Sequence, residues 1–356
     1  MFMKRNICFI GSFSGGGTER VVFSLANKLV EHHDSEIFVL NNHRGQLTFD
    51  LSSRVHYTEI KCSGVWRKIH DIRQYIKNND IGIVVSIEAL MGIFTIPATI
   101  GSGVRNIVWE HANYYQTQGS RWTRLIRKIW LIYADQYIVL TQRDLKNFHN
   151  NERFIRCQLD YIYNPYSVKP ENHTYSLDSK RIVSVGHIRK IKNFIVIPSI
   201  FAKIADKFPD WTWHIYGSGQ FDEEEALRQE IAKFHLQNRI IMEGRVNNLD
   251  TIYRGAGIYA LTSLQEGLPT VLLEALSYNV PCVSFDIETG PDEIIIDEKN
   301  GYLVPAYNIE QYADALMKLM ESEERRESFS QNTSKSLCNF RLNESVEAWH
   351  NVLTLN

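Results

Sequence analysis

An excess of either charge is nearly absent from this chain of 356 residues: 39 Lys and Arg stand against 41 Asp and Glu, a formal net charge of −2. That balance argues against a general nucleic-acid binder, so any basic patch must be local. Cysteine is scarce as well. The five present, Cys8, Cys62, Cys157, Cys282 and Cys338, are an odd number, widely scattered, with no Cys-x-x-Cys pair. They form neither a disulfide framework nor a zinc site, and they suit a reducing compartment. No window approaches the roughly 18 to 20 uninterrupted apolar residues of a membrane span. The opening "MFMKRNICFIGSFSGGG" breaks at glycines too early for a signal peptide. The expectation is a cytoplasmic protein, soluble or at most attached to a surface. Dinucleotide and P-loop signatures are also missing. "SGGGTER" is neither a Gly-x-Gly-x-x-Gly fingerprint nor followed by Gly-Lys-Ser/Thr, and "GSGQ" (217–220) lacks the third glycine and the later acidic partner.

What is present is an ordinary globular composition, 44% hydrophobic and 22% charged, at a length that suits two domains. Short apolar runs alternate with longer amphipathic ones, the pattern of a parallel sheet covered by helices. A first series reads as strands at 6–11, 36–40, 81–87, 106–110 and 135–140, with a helix at 18–33. A second series has strands at 181–186, 211–217, 239–244, 257–263 and 281–285, with helices at 194–208 and 222–235. The seam, "IYNPYSVKPENHTYSLDSK" (162–180), is rich in Pro, Asn and Ser and has little periodicity. The fold class is therefore α/β, with two doubly wound parallel-sheet domains. The expected boundaries are 1–165, 166–340, and a terminal segment 341–356 whose amphipathic "SVEAWHNVL" crosses back to the first domain. Ligands of such sheets sit at the carboxyl ends of the strands, which for two facing domains means the cleft between them.

The segment "GIYALTSLQEGLPTVLLEAL" carries the chemistry. A buried strand ends near Thr262 or Ser263, a short loop follows, and a helix begins. Pro269 suits the first helical turn, where its missing N–H is no loss. Gly267 allows close backbone approach to a ligand, and the first-turn amides attract an anion. Glu266 lies in the loop at the strand's carboxyl end. Glu274, about one and a half turns into the helix, is placed to accept two hydroxyls of a diol, since ionised acceptors make the stronger hydrogen bonds.

The Glu-x₇-Glu spacing with Gly-Leu-Pro after the first glutamate resembles the nucleotide-sugar motif of retaining GT-B glycosyltransferases of family 4, and the resemblance runs through nearly the whole chain. "FSGGGTERVVFSLANKL" is similar to that family's N-terminal glycine loop and helix, and "IYNPY" to its interdomain turn. "VGHIRKIKNF", "IYGSGQ" and "TGPDEIIIDEKNGYLVP" follow in the family's order. The resemblance implies a GT-B fold, two Rossmann-like domains facing a central cleft. It also implies transfer of a sugar from a nucleoside diphosphate donor, UDP-linked, to a polyprenyl-diphosphate-linked glycan in cell-surface polysaccharide biosynthesis such as O-antigen or capsule. A hydrolysing UDP-sugar epimerase of the same fold and an inactive nucleotide-sugar binder are the alternatives.

Roles follow from the resemblance. Glu274 holds the ribose, and Glu266 contacts the transferred sugar. The amides of Gly267, Leu268, Pro269 and Thr270 are the backbone stretch aimed at sugar hydroxyls or phosphate, although Pro269 has no N–H of its own. Gly16 and Gly17 approach the donor, and Arg245 and Val246 lie beside the base. Lys192 matches the family's lysine on the leaving diphosphate, while the family's arginine is here His187, a weaker clamp when neutral. Either Arg189 substitutes for it or the phosphates hold His187 protonated. His111 matches the histidine near the reacting sugar, where it hydrogen-bonds a sugar hydroxyl or nearby backbone and does not deprotonate the acceptor, and Glu110 is the alternative as a local base. Cations stabilise the leaving group, so no metal or other cofactor is expected, and no Asp-x-Asp motif stands in the expected donor loops.

One further stretch, "RWTRLIRKIWLIYADQ" (121–136), places Trp122, Leu125, Ile126, Ile129, Trp130 and Tyr133 on one helical stripe. Arg121, Arg124, Arg127 and Lys128 occupy the remainder. They are read as a basic back facing anionic lipid headgroups, over an apolar face packed inward.

Overall fold

The structure is a computed structural model and describes residues 5–13, 15–32, 34–43, 49–116, 120–166, 174–246 and 248–354. Ser14, and residues 167–173 of the seam, therefore lie outside the described residues. The chain divides into two compact units, Met1–Ser167 with Phe340–Asn356, and Val168–Asn339.

The first unit is built on β1 (Asn6–Gly11), β2 (Ile37–Asn41), β3 (His56–Glu59), β4 (Ile81–Ile87), β5 (Arg105–Trp109), β6 (Gln136–Val139) and β7 (Gln158–Tyr161). Their order is β3-β2-β1-β4-β5-β6-β7, with every pair parallel. Helices α1 (Gly17–His32), α2 (Val65–Asn78), α3 (Gly92–Thr99), α4 (Arg121–Tyr133) and α5 (Gln142–Asn151) connect them. The central strands are buried on both faces, so they read as continuous Ile, Val and Phe runs. The edge strands "HYTE" and "QLDY" are only four residues long and partly exposed, and they carry no such run.

The second unit holds β8 (Arg181–Val185), β9 (Thr212–Tyr216), β10 (Ile240–Gly244), β11 (Ile258–Leu261), β12 (Cys282–Asp286) and β13 (Gly301–Pro305), in the order β10-β9-β8-β11-β12-β13 and again all parallel. Its helices are α6 (Ile197–Phe201), α7 (Phe221–Lys233), α8 (Leu249–Tyr253), α9 (Thr270–Ser277), α10 (Pro291–Ile294), α11 (Ile309–Glu321) and α12 (Glu323–Ser336). Ile182, Trp213, Ile258 and Phe285 from the sheet pack with Phe201, Leu227, Leu316 and Leu319 from these helices into one buried core.

The long helix expected over 194–208 is shorter. A 3-10 turn at Phe194–Val196 precedes α6, and turns follow it. Pro198 is the reason: lacking an N–H, it fits only the first helical turn, so the α-helix can begin no earlier than the residue before it.

The last helix, α13 (Leu342–Thr354), belongs to the first unit. Trp349 is fully buried there, with ring centroids 4.6 Å from Trp109 and 6.3 Å from Phe9. Arg105 Nη1 donates to the Val352 carbonyl at 2.6 Å, and Ser345 Oγ to the Tyr163 carbonyl at 2.9 Å. The amphipathic spacing of this segment thus buries one face on the β1/β5 region of the sheet. Among the described residues no helix is long and apolar enough to cross a membrane.

Candidate functional site

In the second unit, the loops that leave β8, β9, β10, β11 and β12 lie at one edge, the carboxyl edge of a parallel sheet. Lys192 follows β8 and Glu266 follows β11, and their side chains meet: Nζ donates to Oε1 at 2.6 Å, with 21% and 12% of each side chain exposed. Ser263 Oγ donates to the same oxygen at 2.6 Å. Backbone stitching fixes the two loops. Leu264 N donates to the Ile191 carbonyl at 2.8 Å, and Thr262 Oγ1 to the Lys192 carbonyl at 3.0 Å. From the loop after β12, Thr289 Oγ1 donates to the Glu266 carbonyl at 2.5 Å. Gly290 beside it has φ 102°, and a Cβ there would stand 2.5 Å from Pro269 Cδ, so the Thr-Gly-Pro turn can pack on the Glu-Gly-Leu-Pro loop only as glycine.

Around the pair stand three more of the expected residues. His187, Arg189 and Arg245 are exposed. The His187 imidazole is held below its usual pKa of 6.5 by burial first, and then by the positive charges of Arg189, Arg245 and Lys192; a backbone hydrogen bond at Ser218 opposes the shift. The fields of these cations overlap at one spot. Val246 is half-buried beside Arg245. The Gly-Ser-Gly turn after β9 has a packing reason: a Cβ at Gly217, φ 143°, would fall 1.8 Å from the Gly186 carbonyl oxygen.

Pro269 is the N-cap of α9 and not its first helical residue, so the helix begins at Thr270 with no side-chain cap on its first turn. Leu268 is 6% exposed; its side chain belongs to the core and only its backbone faces outward chemistry. Glu274, half-buried on α9, accepts at Oε2 from the Tyr253 hydroxyl at 3.0 Å.

In the first unit, Gly15 (φ 90°) donates its N–H to Glu19 Oε2 at 2.7 Å, so the buried Glu19 on the first turn of α1 closes the glycine loop. A Cβ on Gly16 would meet no described atom within 4 Å; packing does not demand glycine there, whereas close approach of a ligand would. Gly17 opens α1. Asn41, at the end of β2, holds the stem of the loop through both backbone groups of Phe13, at 2.9 and 3.1 Å.

His111 follows β5. Burial pushes its pKa down to about 3, so the imidazole is neutral, and its Nε2 is buried without a hydrogen-bond partner among the described residues. Glu110 is not a base. Its Oε2 pairs with Arg127 Nε at 3.0 Å and accepts from the Tyr137 hydroxyl at 2.9 Å, and both ionic side chains are under 5% exposed.

That pair corrects the reading of α4. Arg127 does not face outward: its Nη1 donates to the Tyr114 carbonyl at 2.7 Å and its Nη2 to the Asn113 carbonyl at 3.1 Å, tying the loop after β5 to the helix. The inward face is Thr123, Ile126, Arg127, Trp130 and Leu131. Trp122 (69% exposed), Leu125 (47%), Ile132 (40%) and Tyr133 (67%) point outward instead, alongside the exposed Arg121, Arg124 and Lys128. The helix is rotated because a buried glutamate at the end of β5 needs a cation, and Arg127 supplies it.

Sequence reasoning passed over Ser263, Thr289, Tyr253 and Glu88. The last stands directly after β4 with φ 66°, a strained conformation for a side chain of its size. A carboxylate immediately after the buried run "IGIVVSI" is the same signal that singled out Glu266.

A family model described as glycosyltransferase family 4 matches residues 15–169, and one described as glycosyl transferases group 1 matches residues 168–336. The two matches meet at residues 168–169 and together span residues 15–336, and the chain belongs to the GT-B glycosyltransferases of the family 4 type. The amylovoran biosynthesis glycosyltransferase of Erwinia amylovora is 28% identical over 98% of this chain and 99% of its own length. The GalNAc-alpha-(1->4)-GalNAc-alpha-(1->3)-diNAcBac-PP-undecaprenol alpha-1,4-N-acetyl-D-galactosaminyltransferase of Campylobacter jejuni is 25% identical over 96% of this chain and 95% of its own. Among solved structures, Anabaena HepE in complex with UDP has the same fold, with a TM-score of 0.78 at 15% identity over 98% of this chain and 99% of that one.

Proposed function

We propose that this glycosyltransferase is a retaining, metal-independent enzyme. It moves a sugar from a UDP-linked donor to a polyprenyl-diphosphate-linked glycan during assembly of a cell-surface polysaccharide. The observation that carries the reading is the Lys192–Glu266 pair, with Lys192, Arg189 and Arg245 all acting on the neighbouring His187. In this reading the bond from the sugar's anomeric carbon to the diphosphate breaks, and a bond to the acceptor hydroxyl forms on the same face. The hydroxyl's proton goes to the leaving phosphate. Charge develops on the diphosphate as it departs, and Lys192, with Arg189, stabilises it without a metal. Before the donor arrives Glu266 holds the ammonium in place; with the donor bound, Glu266 turns its acceptor capacity to the sugar. His187, neutral beside these cations, contributes a hydrogen bond in place of a guanidinium. Glu274 takes the ribose hydroxyls.

The acceptor's lipid places the reaction at the cytoplasmic face of a membrane. The Campylobacter relative's undecaprenol acceptor supports that placement, as does the outward face of α4, where Arg121, Arg124 and Lys128 run beside Trp122, Leu125, Ile132 and Tyr133. Aromatic and aliphatic side chains enter the headgroup region while cations meet anionic lipid.

Calorimetry with UDP, GDP and ADP and their sugars, in EDTA, tests the donor site, and a coupled assay of UDP release tests the chemistry. Tight UDP binding with release that rises steeply on adding lipid-linked acceptor is the expected result. Full-speed release without acceptor would instead identify a hydrolysing epimerase, and binding without turnover an inactive binder. Binding of no nucleotide would overturn the assignment of Lys192, Glu266 and Glu274.

A further inference from the structure

The ribose-binding role of Glu274 raises a question that its own helix does not answer. α9 is only eight residues long and gives a glutamate at this position several rotamers. A carboxylate that must meet two ribose hydroxyls together has to be held in one of them. From the neighbouring α8, the Tyr253 hydroxyl stands 3.0 Å from Glu274 Oε2 and 3.3 Å from the Val271 carbonyl in the first turn of α9. Its residue is wholly buried. A phenol has one proton, and of the two acceptors the ionised carboxylate is the stronger.

The tyrosine is itself well anchored. α8 has only five residues, too few to hold a helix unaided. Asn248 caps it, with Oδ1 accepting from Asp250 N at 2.8 Å, and Tyr278 beyond α9 donates its hydroxyl to Asp250 Oδ1 at 2.7 Å. The Tyr253 ring then packs between those of Tyr278 and Tyr259, with centroids at 5.5 and 6.0 Å. Burial, and after it the Glu274 charge, hold the phenol far above its ordinary pKa, so it is a donor at every working pH.

We propose that Tyr253 is a positioning residue for donor recognition: through its hydroxyl it orients the Glu274 carboxylate toward the ribose, and the discrimination between ribose and deoxyribose nucleotides depends on it. The inference rests on the reading of Glu274 as the ribose-binding residue. It requires no contact between Tyr253 and the donor, because a carboxylate with one lone pair committed to the phenol still has others to accept hydroxyls.

The test is the ratio of affinities for UDP and for 2′-deoxy-UDP and 3′-deoxy-UDP, measured by calorimetry on the full chain. The wild type should prefer UDP over at least one deoxy analogue by about 10-fold or more, the usual loss for a hydrogen bond to a charged group. Tyr253→Phe should cut that preference several-fold by weakening UDP binding, and should leave affinity for the deoxy analogue unchanged. Because the ratio is taken on one preparation, a reduced folded fraction cancels, and Tyr253→Met carries the same expectation should the phenylalanine variant not fold. Tyr278→Phe, which removes an equally local phenol aimed at Asp250, should keep the wild-type ratio.

If Tyr253→Phe retains the full preference, the inference is overturned. It is also overturned if Tyr278→Phe lowers the ratio equally, because general loosening of α8 would then be the cause. A wild type that shows no preference at all, with Glu274→Ala binding UDP normally, would mark a different failure, that of the ribose assignment itself.

Discussion

Removing the Arg127 guanidinium isolates a charge. In Arg127→Met the Glu110 carboxylate, 3% exposed, would keep among the described residues the Tyr137 hydroxyl at 2.9 Å and the Ala112 N–H at 3.3 Å, and the Asn113 and Tyr114 carbonyls would lose the guanidinium as a donor. Breaking a buried ion pair from one side costs about 3 to 5 kcal/mol, because the remaining charge is uncompensated. For a unit of this size, each kcal/mol lowers the midpoint by about 2 to 4 °C, so a drop of about 6 to 20 °C is expected. Differential scanning calorimetry resolves the units if they melt separately, and hydrogen exchange over residues 105–140 localises the loss. Two comparisons sharpen the result. Arg124→Met, on the exposed face of the same helix, should change stability by no more than about 0.5 kcal/mol. Arg127→Met combined with Glu110→Gln should recover much of the loss, since no ion is then left buried. A cost below about 1 kcal/mol for Arg127→Met, or no difference from Arg124→Met, would refute the account of α4 as a helix turned inward by its arginine.

Three other outcomes are expected. Lys192→Ala should lower turnover by about 10² or more in the UDP-release assay, with the protein folded; near-normal turnover would place diphosphate stabilisation elsewhere. Trp122→Ala with Leu125→Ala, or reversal of Arg121, Arg124 and Lys128 to glutamate, should reduce co-sedimentation with vesicles rich in anionic lipid. Each cation near the surface contributes about 1 kcal/mol, so undiminished binding by the triple reversal would remove this face from the membrane contact. For pH, the Asp144 carboxyl is pushed up from 3.8 to about 7 by burial, against the opposing Tyr114 backbone hydrogen bond, so ionising it costs the folded state. His111, lowered from 6.5 to about 3, resists protonation when folded. The first group makes the unit less stable as pH rises from about 4 to about 7, and the second as pH falls below about 6.5, so the two oppose one another over much of the acid range. Asp144→Asn should therefore gain in midpoint on the wild type progressively between about pH 4 and 7 and by a constant amount above that, and a difference that does not change with pH would assign the dependence to other groups.

Much of this molecule could be read without coordinates, and the reason is periodicity. Strands sandwiched between helix layers must be apolar on both faces, which is why "NICFIG" and "IGIVVSI" coincide with β1 and β4 to the residue. The positions of Lys192, Glu266 and His187 follow from the same logic, since residues just past such strands gather at one edge. β3 and β7 escaped because these edge strands bury less and carry no run to recognise; β13, "GYLVP", is mostly buried and was passed over as part of a longer motif. The start of α6 was set too early because Pro198 fits only the first helical turn.

Partners in space are a different matter. A helical wheel ranks residues by hydropathy and places arginines outside; it has no knowledge of Glu110, on a neighbouring strand 17 residues away, whose burial makes one arginine an interior residue. Tyr253 and Glu274 are 21 residues apart on different helices, and nothing local marks their 3.0 Å contact. The sequence by itself determined the layers, the parallel order of the strands and the places of Glu266 and Glu274 after β11 and on α9, because those follow from hydropathy and spacing along the chain. Only the tertiary structure decided which way α4 turns, which cation belongs to which carboxylate and which phenol holds Glu274, because each depends on burial between segments distant in sequence.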